Sequence, residues 1–136
     1  MANITVTAKN VRPLPGAVSR RFTAGGSIDV GDSVFVASDG DVEQAQAGTA
    51  SGSVATFSVG VAVSAPMGGT VAASGDPVDV VLYGPVEGFS GMTPGDVLYQ
   101  SSTLGKVADA AGSVSHKVGK AISATVLFVN PPLTEA

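Results

Sequence analysis

His116 is the only histidine in the chain, and Lys117 follows it. With Ser113 and Ser115 just upstream, this is the first place to look for a hydroxyl nucleophile and its base. That chemistry needs an oriented serine, and the neighbouring residues offer no strand–turn–helix elbow to present one. A solvated loop histidine is expected. A second candidate is Asp39-Gly40-Asp41-Val42-Glu43, with carboxylates at alternate positions. Alternate residues of a strand share a face, so such oxygens could meet a hard cation. Asp39-Gly40 is a turn dipeptide, however, and turn chemistry accounts for the acids without a metal. Asp32 and Asp96 each follow a glycine and precede an apolar run. An aspartate so placed accepts hydrogen bonds from nearby backbone amides.

The glycines form no phosphate loop, because Gly16, Gly25-Gly26 and Gly68-Gly69 lead neither into Lys-Ser/Thr nor into a helix. Lys106 occupies a tip-like turn, but Thr103-Leu104-Gly105-Lys106-Val107 is unlike the methionine-flanked lysine of a biotin or lipoyl carrier. No catalytic, cofactor-binding or metal-ligating residue is assigned, and no enzymatic activity is expected.

The elements that carry these residues occur twice. Gly31-Asp32-Ser33-Val34-Phe35-Val36 matches Gly95-Asp96-Val97-Leu98-Tyr99-Gln100. One added residue in the second copy lets Gly40, Val42 and Ala45 match Gly105, Val107 and Ala110. Val59-Gly60-Val61-Ala62 then aligns with Val118-Gly119-Lys120-Ala121, and Val80-Val81-Leu82-Tyr83 with Val126-Leu127-Phe128-Val129. What recurs is apolar β-formers bounded by Gly, Asp, Asn and Pro, without a recurring polar cluster. The expected fold is all-β, a small barrel or sandwich built from two duplicated units of about residues 27–88 and 91–132. Units this short share one core, for which Val34, Phe35, Val61, Val63, Leu98, Tyr99, Ile122, Leu127 and Phe128 are the choices. The stretches around Pro66–Gly69 and from Gly84 to Gly95 read as Gly- and Pro-rich connections.

Composition narrows the class further. The 136 residues suffice for one domain (25–136) behind an extended N-terminal arm (1–24). Only 13% are charged and 44% are apolar, the reverse of a disordered chain. No run approaches the roughly 18 apolar residues of a membrane helix, so the apolar surplus is expected against other subunits. Cysteine is absent, which excludes disulfides and thiolate chemistry. The start Met1-Ala2-Asn3-Ile4-Thr5-Val6 has no basic and apolar export signal, so cytoplasmic synthesis is the simple expectation. Charge is uneven. Lys9, Arg12, Arg20 and Arg21 precede every acid, whereas residues 29–96 hold nine acids and no Lys or Arg. A basic N-terminal segment reaching an acidic surface is the reading. Nucleic acid is a poor partner for four cations on an acidic body.

Within the arm, Ile4-Thr5-Val6-Thr7 alternates and is β-branched, while Arg12-Pro13-Leu14-Pro15 cannot be helix or central strand. Residues 3–15 are expected to be loose in the free protein.

The second unit resembles the capsid cement, or head decoration, proteins of tailed phages. The likeness lies in Pro94-Gly95-Asp96-Val97-Leu98-Tyr99, Leu104-Gly105-Lys106-Val107 and Val118-Gly119-Lys120-Ala121 before a last apolar strand. Val59-Gly60-Val61-Ala62 followed by Val80-Val81-Leu82-Tyr83-Gly84 is similar to that family as well. The resemblance implies a structural virion protein on the outer surface of a phage head, bound to the major capsid protein, commonly as a homotrimer. It implies no cofactor, nucleic acid or membrane. On that reading Ile4, Thr5, Val6 and Thr7 would add as a strand to a capsid sheet edge. Arg12, Arg20 and Arg21 would meet shell carboxylates, with Pro13 holding the arm extended. The alternatives are another virion part, such as a tail or baseplate adhesin for a host glycan or protein, and an enzyme or carrier domain. Phe89 is the one aromatic expected in a loop that an adhesin tip would use.

Overall fold

Short apolar runs separated by turn residues fold into strands, and the chain is all-β. The computed structural model describes residues 3–46, 58–111 and 116–131. The loop of residues 48–53 and the serines Ser113 and Ser115 lie outside them. The strands are β1 (Thr5–Val6), β2 (Arg12–Pro13), β3 (Val18–Thr23), β4 (Ile28–Asp29), β5 (Ser33–Val36), β6 (Val42–Gln44) and β7 (Gly60–Ser64). They continue with β8 (Val71–Ala72), β9 (Pro77–Glu87), β10 (Phe89–Ser90), β11 (Val97–Gln100), β12 (Val107–Ala108), β13 (Lys117–Ala121) and β14 (Val126–Val129). Among the described residues the helical segments are two 3-10 turns, Ala8–Asn10 and Pro66–Gly68.

β9 is the spine. Its first half lies between β7 and β3, and its second half between β14 and β2. A first sheet therefore runs β6-β5-β7-β9-β3 and a second runs β12-β11-β13-β14-β9-β2, continuous through β9. The expected connection from Gly84 to Gly95 is corrected here, because Gly84 and Pro85 lie inside this strand. Gly84 bends it at φ +119°, with no room for a side chain against Ala17. A glycine that reads as punctuation serves as a hinge between two sheets.

The strands of the two halves pair in the same order. Val34 stands opposite Gly60, and Leu98 opposite Gly119. Phe35 faces Glu43 as Tyr99 faces Ala108. The Gly31 amide donates to the Ala62 carbonyl at 2.8 Å, and the Gly95 amide to that of Ala121 at 2.8 Å. The last aligned pair needs a shift of one residue. Val61 pairs with Val81 and Lys120 with Phe128, so Val81 corresponds to Phe128 and not to Leu127. A Cβ on Gly60 would overlap the Val81 carbonyl oxygen, and one on Gly119 that of Phe128. The two glycines thus occupy the same crowded position.

The main core lies between the sheets. Val61, Val63 and Val81 meet Leu98, Val107, Val118, Leu127 and Val129, closed at the sides by Ile4, Val11, Phe89 and Met92. A smaller core covers the other face of the first sheet, where Val34, Val42, Ala62, Val78 and Val80 pack with Ala24, Ile28 and Ala72. Of the expected core residues, Val34, Val61, Val63, Leu98 and Leu127 are buried. Phe35, Tyr99 and Phe128 are half-buried, because each follows an inward residue on its strand and points to the opposite face. Ile122 is 53% exposed, one residue beyond the end of β13.

The N-terminal segment is not a loose arm, and this expectation is corrected. β1 pairs with β10, Thr5 opposite Ser90 and Val6 opposite Phe89. The Ile4 amide donates to the Val107 carbonyl at 2.7 Å, and Ile4 and Val11 are each 7% exposed in the main core. β2 and β3 both pair with β9. The prolines did not keep the segment out, because Arg12–Pro13 lies at the border of its sheet, where a missing amide is tolerated. Asn3 and Ile4 lie along β12, while Ala24 and Gly25 lie along Val42 of β6. Ile4→Ala should therefore lower unfolding free energy by about 2–4 kcal/mol in urea titration. A loss within about 0.5 kcal/mol would mean that this segment does not belong to the fold.

Candidate functional site: the outer face of the second sheet

The main core covers the inner faces of both sheets and the smaller core covers part of the first sheet's other face, whereas no core cluster lies on the second sheet's other face among the described residues. On its other face, neighbouring strands align Val97, Lys120, Phe128 and Pro85 in one cross-strand row. Residues opposite one another share a face and touch. Phe128 and Val97 are half-buried, while Lys117, Lys120 and Asn130 are exposed. Together with Gly119 they line a groove of about 250 Å³. Beside it the Tyr83 ring meets Phe128 edge to face at 5.0 Å. Tyr83 is 49% exposed, and Val18 opposite it is 56% exposed. The result is a strip from Val18 to Val97 in which Lys120 stands between Val97 and Phe128, with Lys117 on the same groove. Neither lysine has an ion-pair partner among the described residues.

The residues expected to bind a capsid are placed elsewhere and are not brought together. Ile4 is inside, Val6 is half-buried, and Thr5 and Thr7 are exposed on a segment already paired with β10. One edge of this strand is thus taken by β10. Arg12 forms an ion pair with Glu87, opposite which it lies, and Pro13 faces Val86. Arg20 sits over the Phe22 ring at 5.3 Å. Arg21 binds Asp79 through two hydrogen bonds of 2.9 and 3.3 Å. That contact raises the Arg21 pKa and, with help from Ser64, holds the Asp79 carboxyl below its usual range against its partial burial. The basic segment does reach an acidic surface, but that surface is β9 of its own chain.

Polar chemistry gathers at a second place, the junction between β5–β6 and the β11–β12 turn. Asp32 is 1% exposed. Its carboxylate accepts the Asp29 amide at 2.9 Å and Gln44 Nε2 at 2.7 Å, with Lys106 Nζ at 3.7 Å. Burial pushes this carboxyl up from its usual range, opposed by those hydrogen bonds and by Lys106, and reinforced by Asp29. Gly105 closes over the site, where a Cβ would stand 2.7 Å from Asp32 Cγ. Backbone pairs Ser33–Gly105 and Gly105–Ala45, both 2.8 Å, join the sheets here, as does Gln100 Nε2 to the Ala45 carbonyl at 2.8 Å. The cluster is thus a fastening between the halves. Asp96, its counterpart, is exposed.

The remaining candidates resolve as follows. Asp39 Oδ1 accepts the Asp41 amide at 3.0 Å, a turn contact. His116 is not a solvated loop residue, because it is 4% exposed and its carbonyl accepts the Gln100 amide at 2.7 Å. Its position next to β13 draws it under the sheet. Phe89 is likewise buried, opposite Val6 on β10, so it is no exposed tip aromatic. Lys117, Lys120, Tyr83 and Phe128 were missed as surface residues. The signal was visible in the aligned copies, where Lys120 stands in the place of Val61. No protein-family model matches the chain, and no curated protein matches it either.

Proposed function

We propose that the chain is a structural virion protein, a decoration protein that binds the outer surface of a phage head as a homo-oligomer, a trimer by the family resemblance. The observation that carries this reading is the one-sided cover of the second sheet. Its bare face holds Phe128 and Val97 and adjoins Tyr83 and Val18 at the border of the first sheet, and apolar side chains grouped this way favour a protein partner over water. Exposed aromatic residues such as Tyr83, packed on Phe128, are enriched at protein contacts. Because the N-terminal segment is used within its own fold, the head contact is assigned to this face of the body and not to an arm. The protein then acts by adding bonds across neighbouring shell subunits, without chemistry.

Co-sedimentation with expanded, undecorated heads of the encoding phage tests this. Saturable binding is expected, with a Tyr83→Ala variant weakened about tenfold, equivalent to roughly 1.4 kcal/mol. Tyr83 is half-exposed, so that variant should fold as the parent does. Failure of the parent protein to bind such heads at micromolar concentration would remove the reading.

A further inference from the structure

The exposed row of the second sheet has a counterpart whose fate is known. In the first sheet the matching row is Ser33, Val61 and Val81, and all three are sealed within the protein. In the second sheet the row is Val97, Lys120 and Phe128, open to solvent, with lysine replacing valine. Val97 and Phe128 still present apolar surface that gains from cover. Lys120 and Lys117 restrict what the cover can be. They stand on a chain of net charge −4, and with no ion-pair partner among the described residues they select for carboxylate and against further cations. A polyphosphate fits poorly, since two lysines neutralise few phosphates and the acidic body repels the rest.

We propose that this groove receives an extended acidic segment of a partner protein, seating an apolar side chain on Phe128 and Val97 with carboxylates facing Lys117 and Lys120. The proposal rests on the binding-protein reading above and adds the partner's chemistry. The contact is salt-sensitive, because both lysines are exposed and screened.

The test is an NMR titration of the ¹⁵N-labelled protein with the peptide Asp-Leu-Glu-Leu-Asp and with its amide counterpart Asn-Leu-Gln-Leu-Asn. Saturating shifts are expected at Val97, Lys117, Gly119, Lys120 and Phe128, with the amide peptide at least about fivefold weaker. The Lys117→Gln/Lys120→Gln variant should lose a similar factor while keeping the parent's urea midpoint. Equal binding of the two peptides, shifts centred on Arg12 and Arg21, or tighter binding of an oligothymidylate would overturn the proposal. The head assay separates the two readings. A double variant that decorates heads as well as the parent overturns the groove proposal and leaves decoration standing. A parent protein that takes the acidic peptide in the groove and ignores heads supports the groove and removes decoration.

Discussion

Gly60→Ala and Gly119→Ala should each destabilise the protein by about 3 kcal/mol, and the double variant should not fold. Neither glycine is needed for a turn. Gly60 pairs with Val34 in the first sheet and Gly119 with Leu98 in the second. A methyl group at Gly60 would drive into the Val81 carbonyl, and at Gly119 into that of Phe128. Both obstacles are backbone atoms of a paired strand, so relief requires moving the strand and with it part of the core. Gly26→Ala is the control, since a Cβ there meets nothing within 4 Å. Urea unfolding followed by circular dichroism gives the comparison. If Gly60→Ala and Gly26→Ala unfold at the same urea concentration, the β7–β9 register is wrong.

The second large effect is expected at Asp32. Asp32→Ala would leave the Asp29 amide and Gln44 Nε2 without their acceptor in a buried site. An unsatisfied buried donor costs roughly 1–3 kcal/mol, so a loss of about 2–4 kcal/mol is expected for the pair. Asp32→Asn behaves differently. It keeps an acceptor oxygen and removes the ionisation that burial opposes. The carboxyl has a higher pKa folded than unfolded. The stability this group contributes is therefore fully present below the ordinary carboxylate value near pH 4 and is lost as pH rises through the raised one. Relative to Asp32→Asn, the parent should weaken as pH rises above the ordinary carboxylate value near 4. Asp79 contributes in the opposite sense, since its lowered pKa gives stability above the unfolded value that is lost on acidification. It is unchanged in both proteins and cancels in the comparison. A difference between parent and Asp32→Asn that is flat with pH would show that Asp32 does not titrate in this range.

Much of the scaffold was readable from residue types. The apolar runs around Val34-Phe35 and Leu98-Tyr99 marked the strands but not their faces, since Phe35 and Tyr99 were expected in the core, and Asp39 announced its turn. The paired hairpins followed from Asp-Gly and Leu-Gly at matching places. What was not readable depended on distant partners. Ile4 and Val11 look like any β-branched residue of a tail until Val107 and Gly88 are placed beside them. Gly84-Pro85 carries the local signature of a break, yet packing on both sides holds β9 continuous. His116 is buried by its neighbours and not by its own polarity. The candidate site shows the same limit. The exchange of Val61 for Lys120 was visible, but which face of the second sheet lacked a cover was not.

The N-terminal stretch touches both outermost strands, with Asn3 and Ile4 on β12 and Ala24 and Gly25 on β6. An uncovered outer strand offers a ladder of amides and carbonyls to any similar strand nearby. Short β-rich segments with little charge and no proline, such as Val97–Gln100 and Val126–Val129, are the material from which stacked fibrils grow. One stretch of about two dozen residues therefore stands between a self-limited particle and an open polymer. Clipping it off would release a seed for fibrils, not a shorter soluble protein.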